Sequence, residues 1–194
     1  VAEAAQESSV GGSVDTELMQ QMIEQSGFEF QGGFDPLDLV ARDEVREMCA
    51  ADTCRSYNKS WACPPGCGEI EDSNKTFKLY ECGIVFQTVA YMEDEFDFET
   101  TMAAARDHRE RFNKLVEMVR ETGMNRDTVL LIGAGSCTIC PECSYPDAPC
   151  RYPEKIFPSM EAMGLMVSEV CVSAGIPYYH GPQTLAYSSC VLFK

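Results

Sequence analysis

At 194 residues the chain can bury one full hydrophobic core, and its formal charge of −16, from 31 acidic against 15 basic residues, repels phosphate backbones and argues against nucleic-acid binding. No apolar run approaches the about 20 residues of a membrane span, and Val1-Ala2-Glu3-Ala4-Ala5-Gln6 shows neither the basic nor the apolar region of a signal peptide. Eleven cysteines, an odd number gathered in local groups, speak against a disulfide scaffold and for metal ligation in a reducing compartment, the cytoplasm.

The charge is unevenly placed. Residues 1–40 carry eight carboxylates and no Lys or Arg, and residues 79–105 carry six more, again without a cation. Solubility alone accounts for such a surface, which also suits steering toward a basic redox partner protein.

In chain order, residues 1–13 are rich in Ala, Ser and Gly and read as a mobile tail. Asp15 can cap a helix to about Gln25, with Leu18, Met22 and Ile23 on one face and Gly27 as its stop. Gln31-Gly32-Gly33-Phe34-Asp35-Pro36 reads as a loop, and a second helix is expected over 36–51, with Leu37, Val40, Val45 and Met48 as apolar contacts. That helix delivers Cys49, the first of a group spaced Cys49-x4-Cys54-x8-Cys63-x3-Cys67. Within it Trp61-Ala62-Cys63-Pro64-Pro65-Gly66-Cys67 is stiffened by two prolines, while Gly66 permits a tight turn. Trp61 is either a lid over a cofactor or an ordinary core aromatic.

Residues 82–92 are β-branched and aromatic, a strand. An acidic loop leads into an amphipathic helix over 99–122, with Met102, Ala105, Phe112, Leu115, Val116 and Val119 at helical spacing and Gly123 as its stop. Glu110 and Lys114 are spaced for an i,i+4 pair, and His108 reads as a packed or surface histidine. Residues 128–134 form the next strand, and strand–helix–strand in this order suggests a right-handed parallel crossover. A helix over 158–174 with Met160, Met163, Val167, Val170 and Cys171 buried, stopped by Gly175, and a strand over 183–193 complete the chain. The fold class is α/β: a small mixed sheet flanked by helices, with two cysteine-rich metal-binding loops. Residues 1–40 are an acidic N-terminal arm with one helix, and 41–194 a cysteine-rich metal-binding α/β domain.

The densest motif lies between the second strand and the last helix: Cys137-x2-Cys140-x2-Cys143-x6-Cys150. A cubane iron–sulfur cluster takes one thiolate per iron, and Cys-x-x-Cys-x-x-Cys supplies three from one wrapped segment. Zinc sites more often use two separated Cys-x-x-Cys knuckles. The fourth cysteine comes six residues later, wider than in the bacterial ferredoxin run, and Arg151 follows it instead of proline, so Cys150 can close its own cluster. Ligand softness extends the reading to Cys49, Cys54, Cys63 and Cys67, giving two 4Fe-4S clusters with zinc as the alternative. Cys82, Cys171 and Cys190 lie in apolar contexts and read as free buried thiols. Arg151 and Lys155 either offset the charge of a thiolate-ligated cluster or serve as surface ion-pair partners, and the helix after Pro158 can point its amides toward the cluster.

The Trp61–Cys67 stretch, the Cys137-x2-Cys140-x2-Cys143 run, and Pro149-Cys150-Arg151-Tyr152-Pro153-Glu154 with Pro158-Ser159-Met160-Glu161-Ala162-Met163-Gly164 together resemble an uncharacterised cysteine-rich family of predicted metal-binding proteins, a domain of unknown function. The resemblance runs from about residue 45 to the end. It implies metal binding through both cysteine groups and supplies no substrate and no reaction.

Three functions remain open at the level of sequence. The first is electron transfer through iron–sulfur clusters. The second is an iron–sulfur enzyme in which one cysteine, Cys49 or Cys54, leaves an iron open to substrate. The third is a zinc-stapled interaction module. Residues 68–81 are long enough to bring both cysteine groups to one end of the sheet, with Trp61 at the junction.

Overall fold

The computed structural model of the chain describes residues 14–94 and 96–194, so the tail expected over 1–13 lies outside the described residues. The elements in chain order are α1 (Thr16–Gln25), β1 (Phe30–Phe34), a 3₁₀ turn (Pro36–Asp38), α2 (Asp43–Ala50), α3 (Ile70–Phe77), β2 (Cys82–Tyr91), α4 (Phe98–Glu121), β3 (Val129–Ile132), a second 3₁₀ turn (Pro153–Lys155), α5 (Val167–Ser173) and β4 (Thr184–Phe193). Among the described residues no helix is long and apolar enough to cross a membrane.

Alternation of side chains builds the core. Ile84, Phe86, Val191 and Phe193 point to one face of the sheet, where α1 supplies Met19, Met22 and Ile23 and α4 supplies Phe112, Leu115, Val116 and Val119. Val85, Cys190 and Leu192 point to the other face, against Phe77 of α3, Met160, Leu165 and the Val167, Val170 and Cys171 stripe of α5. Residues 14–40 therefore share the core of the rest of the chain: α1 packs beneath α4, and β1 pairs along β2.

The α/β class holds, but the sheet expected to be mixed is antiparallel between all neighbours, in the order β1-β2-β4-β3, because β4 inserts between β2 and β3. β2 and β3 both run antiparallel to β4, so they are parallel to each other across it, and the expected crossover through α4 steps over one strand. β1 occupies the segment expected as a loop. Gly32 is what admits it, since a Cβ there would stand 2.3 Å from the Ala174 carbonyl oxygen.

Two expected helices are shorter. The helix over 36–51 is split: Leu39 is extended, and Asn74 clamps the backbone of Ala41, accepting from its N–H at 2.8 Å and donating to its carbonyl at 3.2 Å. Leu37, Val40 and Met48 are exposed, leaving Val45 as the one buried side chain of α2. The helix over 158–174 survives only as α5. Gly164 at φ +82° interrupts it in close contact with Ile70, Ala41 and Arg42, so no helix amides project from Pro158. Lys114 donates to the Gln25 carbonyl instead of pairing with Glu110.

The middle of the sheet is polar and fully paired. His108, 3 % exposed, hydrogen-bonds Thr88 at 2.9 Å and Ser189 at 2.8 Å, and burial pushes its pKa down to about 4. On the opposite face Gln87 donates to Ser188 at 3.2 Å, and its Oε1 lies 3.0 Å from His180 Nε2.

Candidate metal centre

Both cysteine groups gather beyond the C-terminal end of β3. There the strand continues into an isolated parallel bridge between Gly133 and Ser159, and Ser159 Oγ accepts from Ala162 N–H at 3.1 Å to hold the following turn. The first group rests on that turn: Cys49 Sγ lies 3.9 Å from the Glu161 carbonyl oxygen, and Cys67 Sγ lies 3.3 Å from that of Ala162. Cys137 leaves the same strand end through Gly133-Ala134-Gly135. The groups thus share one end of the sheet, as the reach of residues 68–81 allows.

Trp61 stands at the junction. Its Nε1 donates to the Ala148 carbonyl at 3.0 Å, and its ring meets Tyr145 edge-on with centroids 4.9 Å apart. Tyr145 Oη in turn reaches Asn58 Oδ1 at 3.0 Å. Gly66 is required at this contact, because a Cβ would stand 2.5 Å from the Ser60 carbonyl oxygen and 2.9 Å from the Tyr145 ring. Trp61 is therefore the joint between two loops.

The loop of residues 137–150 encloses a cavity of about 170 Å³ lined by Cys137, Cys140, Cys143 and Cys150. Three cations, Arg55, Lys59 and Arg151, share the lining, and no carboxylate does. Burial pushes the Cys137 thiol up, with its neighbours Cys143, Cys150 and Cys140 adding to the effect. Cys143 goes the other way. Burial opposes its ionisation, but N–H groups of Tyr145, Trp61 and Ser144 and the Ser60 hydroxyl outweigh it and lower its pKa. Two of those donors, Ser60 and Trp61, belong to the other cysteine loop. Tyr152 N–H lies 3.4 Å from Cys150 Sγ, and Arg151 donates to the Glu142 carbonyl at 2.8 Å.

The first group is drawn from the end of α2 and a coiled loop in which Asp52, Arg55 and Asn58 all take positive φ, a conformation that costs non-glycine residues about 1–2 kcal/mol each. Cys49, Cys54 and Cys63 line an apolar pocket of about 310 Å³, and Cys67 lies outside it. Burial pushes the Cys63 thiol up to about 12, helped by Cys54, Cys67, Cys49 and Cys137. Burial also raises Cys49 and Cys67, while the Arg46 guanidinium beside both works to lower them.

Arg46 tests the fit of a metal centre here. Its Nη1 donates to the Gly68 carbonyl at 3.0 Å, but Nε and Nη2 are buried without a partner among the described residues. A buried guanidinium with unmet donors beside thiols fits thiolates held in anionic form, which supply the missing acceptors. The donor chemistry fits in both groups: all eleven cysteines are free, three cations line the cavity of the second group, and Arg46 stands beside Cys49 and Cys67 of the first, where Glu161 opposes it at Cys49. No three His, Cys, Asp or Glu side chains among the described residues close tightly enough to grip a single ion. Cys82, half-buried, and Cys171 and Cys190, both buried, lie in the sheet and its packing, apart from these loops.

The family model for predicted metal-binding proteins (DUF2284) matches residues 33–193. The chain belongs to that family. The match begins earlier than the resemblance in the motifs, taking in the end of β1 and the turn before α2, and it contains all eight clustered cysteines. No curated protein and no solved structure matches the chain. Arg46, Ser60, Trp61 and Tyr145 lie against the clustered cysteines of this DUF2284 member and are further candidate residues. Trp61 was legible from the sequence as a residue at the junction, and Arg46 had a signal in sitting one helical turn before Cys49.

Proposed function

We propose that the chain is an iron–sulfur protein that holds one cluster in each cysteine group and passes electrons to a partner protein. The observation that carries this reading is the cavity of about 170 Å³ among Cys137, Cys140, Cys143 and Cys150, with three cations and no carboxylate in its wall. A single zinc ion draws four sulfurs to about 2.3 Å from one point and leaves no such void, whereas a cavity of roughly 150 Å³ admits a body the size of benzene. The cations balance the negative charge of a thiolate-ligated group, and N–H···S bonds to Cys143 and Cys150 hold those sulfurs as acceptors.

When bound, an iron–sulfur cluster supplies reversible one-electron chemistry. The chain's own residues orient the thiolates, keep Trp61 and Tyr145 between the two groups, and leave carboxylates such as Glu93, Asp94 and Glu99 exposed to steer a basic partner. Free thiols in these numbers persist in a reducing compartment, consistent with the cytoplasm. A second reading, an enzyme with one iron open to substrate, is favoured by the position of Cys67 outside the pocket that Cys49, Cys54 and Cys63 share. Anaerobic purification followed by iron, acid-labile sulfide and zinc analysis with EPR decides. Iron and sulfide in equal amounts, with a cluster spectrum on reduction, are expected. A colourless protein with stoichiometric zinc and no iron overturns the proposal in favour of a zinc-stapled module.

A further inference from the structure

A second space lies against the cysteine loops, outside the cavity that the four thiols enclose. It is a groove of about 620 Å³ between α4, the glycine turn after β3 and the start of the second cysteine loop. That volume is in the range of small-molecule sites. Its walls are apolar, from Phe112, Phe157, Met102 and Ile139, the last two being exposed at 59 % and 40 %. Its charged residues are Arg109 and Lys155, and it contains no Asp or Glu. In a chain with twice as many acids as bases this is a departure, shared with the adjoining cavity of Cys137, Cys140, Cys143 and Cys150 but not with three further pockets. The pocket beneath α4 includes Glu154, the one beside Pro146 includes Asp147, and the pocket of the first cysteine group includes Glu161.

Neither cation is neutralised by a carboxylate among the described residues, where the ion pairs use Arg42, Lys59, Lys75, Arg111 and Arg120. Asn113 and the half-buried Tyr187 add polar atoms to the same walls. One cysteine of each group, Cys54 and Cys137, also faces the groove, and both are exposed.

We infer that this groove binds a small organic anion, a carboxylate or phosphate ester with an apolar body, whose charge meets Arg109 and Lys155 and whose body lies on Phe112, Phe157 and Met102. Arg109 offers a planar fork suited to either anion, and Lys155 a point charge on the opposite side of the glycine turn. The ligand held there lies against Cys54 and Cys137, one cysteine of each group, and its binding does not rest on the metal reading.

The test uses the full chain purified anaerobically, with benzoate, phenyl phosphate and uncharged benzamide as probes, followed by saturation-transfer NMR and calorimetry. Benzoate or phenyl phosphate is expected to bind in the millimolar range or tighter, and benzamide more weakly. Which anion binds better identifies the ester or the carboxylate as the class. Arg109→Gln with Lys155→Gln is expected to weaken the anion at least about tenfold, while Lys75→Gln, on α3 and outside the groove lining, leaves it unchanged. Both groove cations are exposed, so the variants keep the fold, checked by circular dichroism. No binding of either anion at millimolar concentration, or equal binding by the double variant, overturns the inference. Iron and sulfide measured on the same samples separate the two claims: anion binding without iron leaves this site standing and removes the iron–sulfur reading, and iron without anion binding does the reverse.

Discussion

The two cysteine groups solve the same problem in opposite ways. The loop of residues 137–150 is sequence-local, places all four thiols in the wall of one cavity, and draws from its neighbour hydrogen-bond donors that lower the Cys143 pKa. The group of residues 49–67 is spread over a helix end and a coiled loop, buries Cys63 until its thiol resists ionisation, and leaves Cys67 outside the pocket of the other three. A thiol whose ionisation is eased suits a permanent centre, while a three-sided pocket suits one that changes its ligands. The contrast also shows dependence: Ser60 and Trp61 of the first loop complete the second.

The largest effects come from removing thiols. Cys143→Ser should abolish the second centre and Cys63→Ser the first, each lowering bound metal by about half if two centres are present. Cys67→Ser is expected to leave most metal in place and alter the spectrum instead, since Cys67 is not in the lining of the pocket that Cys49, Cys54 and Cys63 share. Metal analysis and EPR on the three variants check this, and equal losses in Cys63→Ser and Cys67→Ser would erase the contrast between the groups.

Acid separates the sheet from both loops. His108 titrates near 4 in the folded protein and near 6.5 when unfolded, so between those values the unfolded chain binds more protons. Its contribution is fully present above about pH 6.5 and is lost as pH falls toward 4, amounting to roughly 3 kcal/mol over the window. Urea unfolding from pH 7 to pH 4 should show this loss, and His108→Gln should flatten it. An unchanged slope in the variant would mean that the loops, not the sheet, control acid stability.

Next in size is the joint itself. Gly66→Ala drives a methyl into the Ser60 carbonyl and the Tyr145 ring, an overpacking cost of about 1–3 kcal/mol, and should loosen both loops together. Thermal unfolding and metal content report it. Loss of metal from one group only would show that the loops are independent despite their contact.

Much of this was legible in the sequence where the signal is local. The strands Cys82–Tyr91 and Thr184–Phe193 and the helix Phe98–Glu121 were visible from period-2 and helical patterns, and the eight clustered cysteines from spacing. β1 was hidden because Gly32-Gly33 resembles a loop, and the need for Gly32 exists only once α5 brings the Ala174 carbonyl against it. α3 carries only Ile70 and Phe77 as large apolar residues, too few to show a stripe. The insertion of β4 between β2 and β3 is a long-range choice that no local pattern records. At the site, the thiols were legible while their donors and the acid-free groove were not, because those depend on which loop touches which.

Arg46 offers the finest test of the contrast. Its guanidinium lies beside Cys49 and Cys67 and counters the burial that raises both thiols, yet two of its nitrogens have no acceptor among the described residues. Arg46→Met keeps the length and the apolar stem of the side chain and removes only the charge and donors. If thiolates of the first centre are what those nitrogens await, metal should leave that centre more readily, with retention falling by a factor of a few while the second centre is untouched. Competition with a chelator, followed by EPR of each centre, measures this. The opposite result is equally informative. A guanidinium whose donors are unmet destabilises the fold by about 1–3 kcal/mol, so if Arg46→Met raises thermal stability and leaves metal retention unchanged, the buried charge serves neither centre.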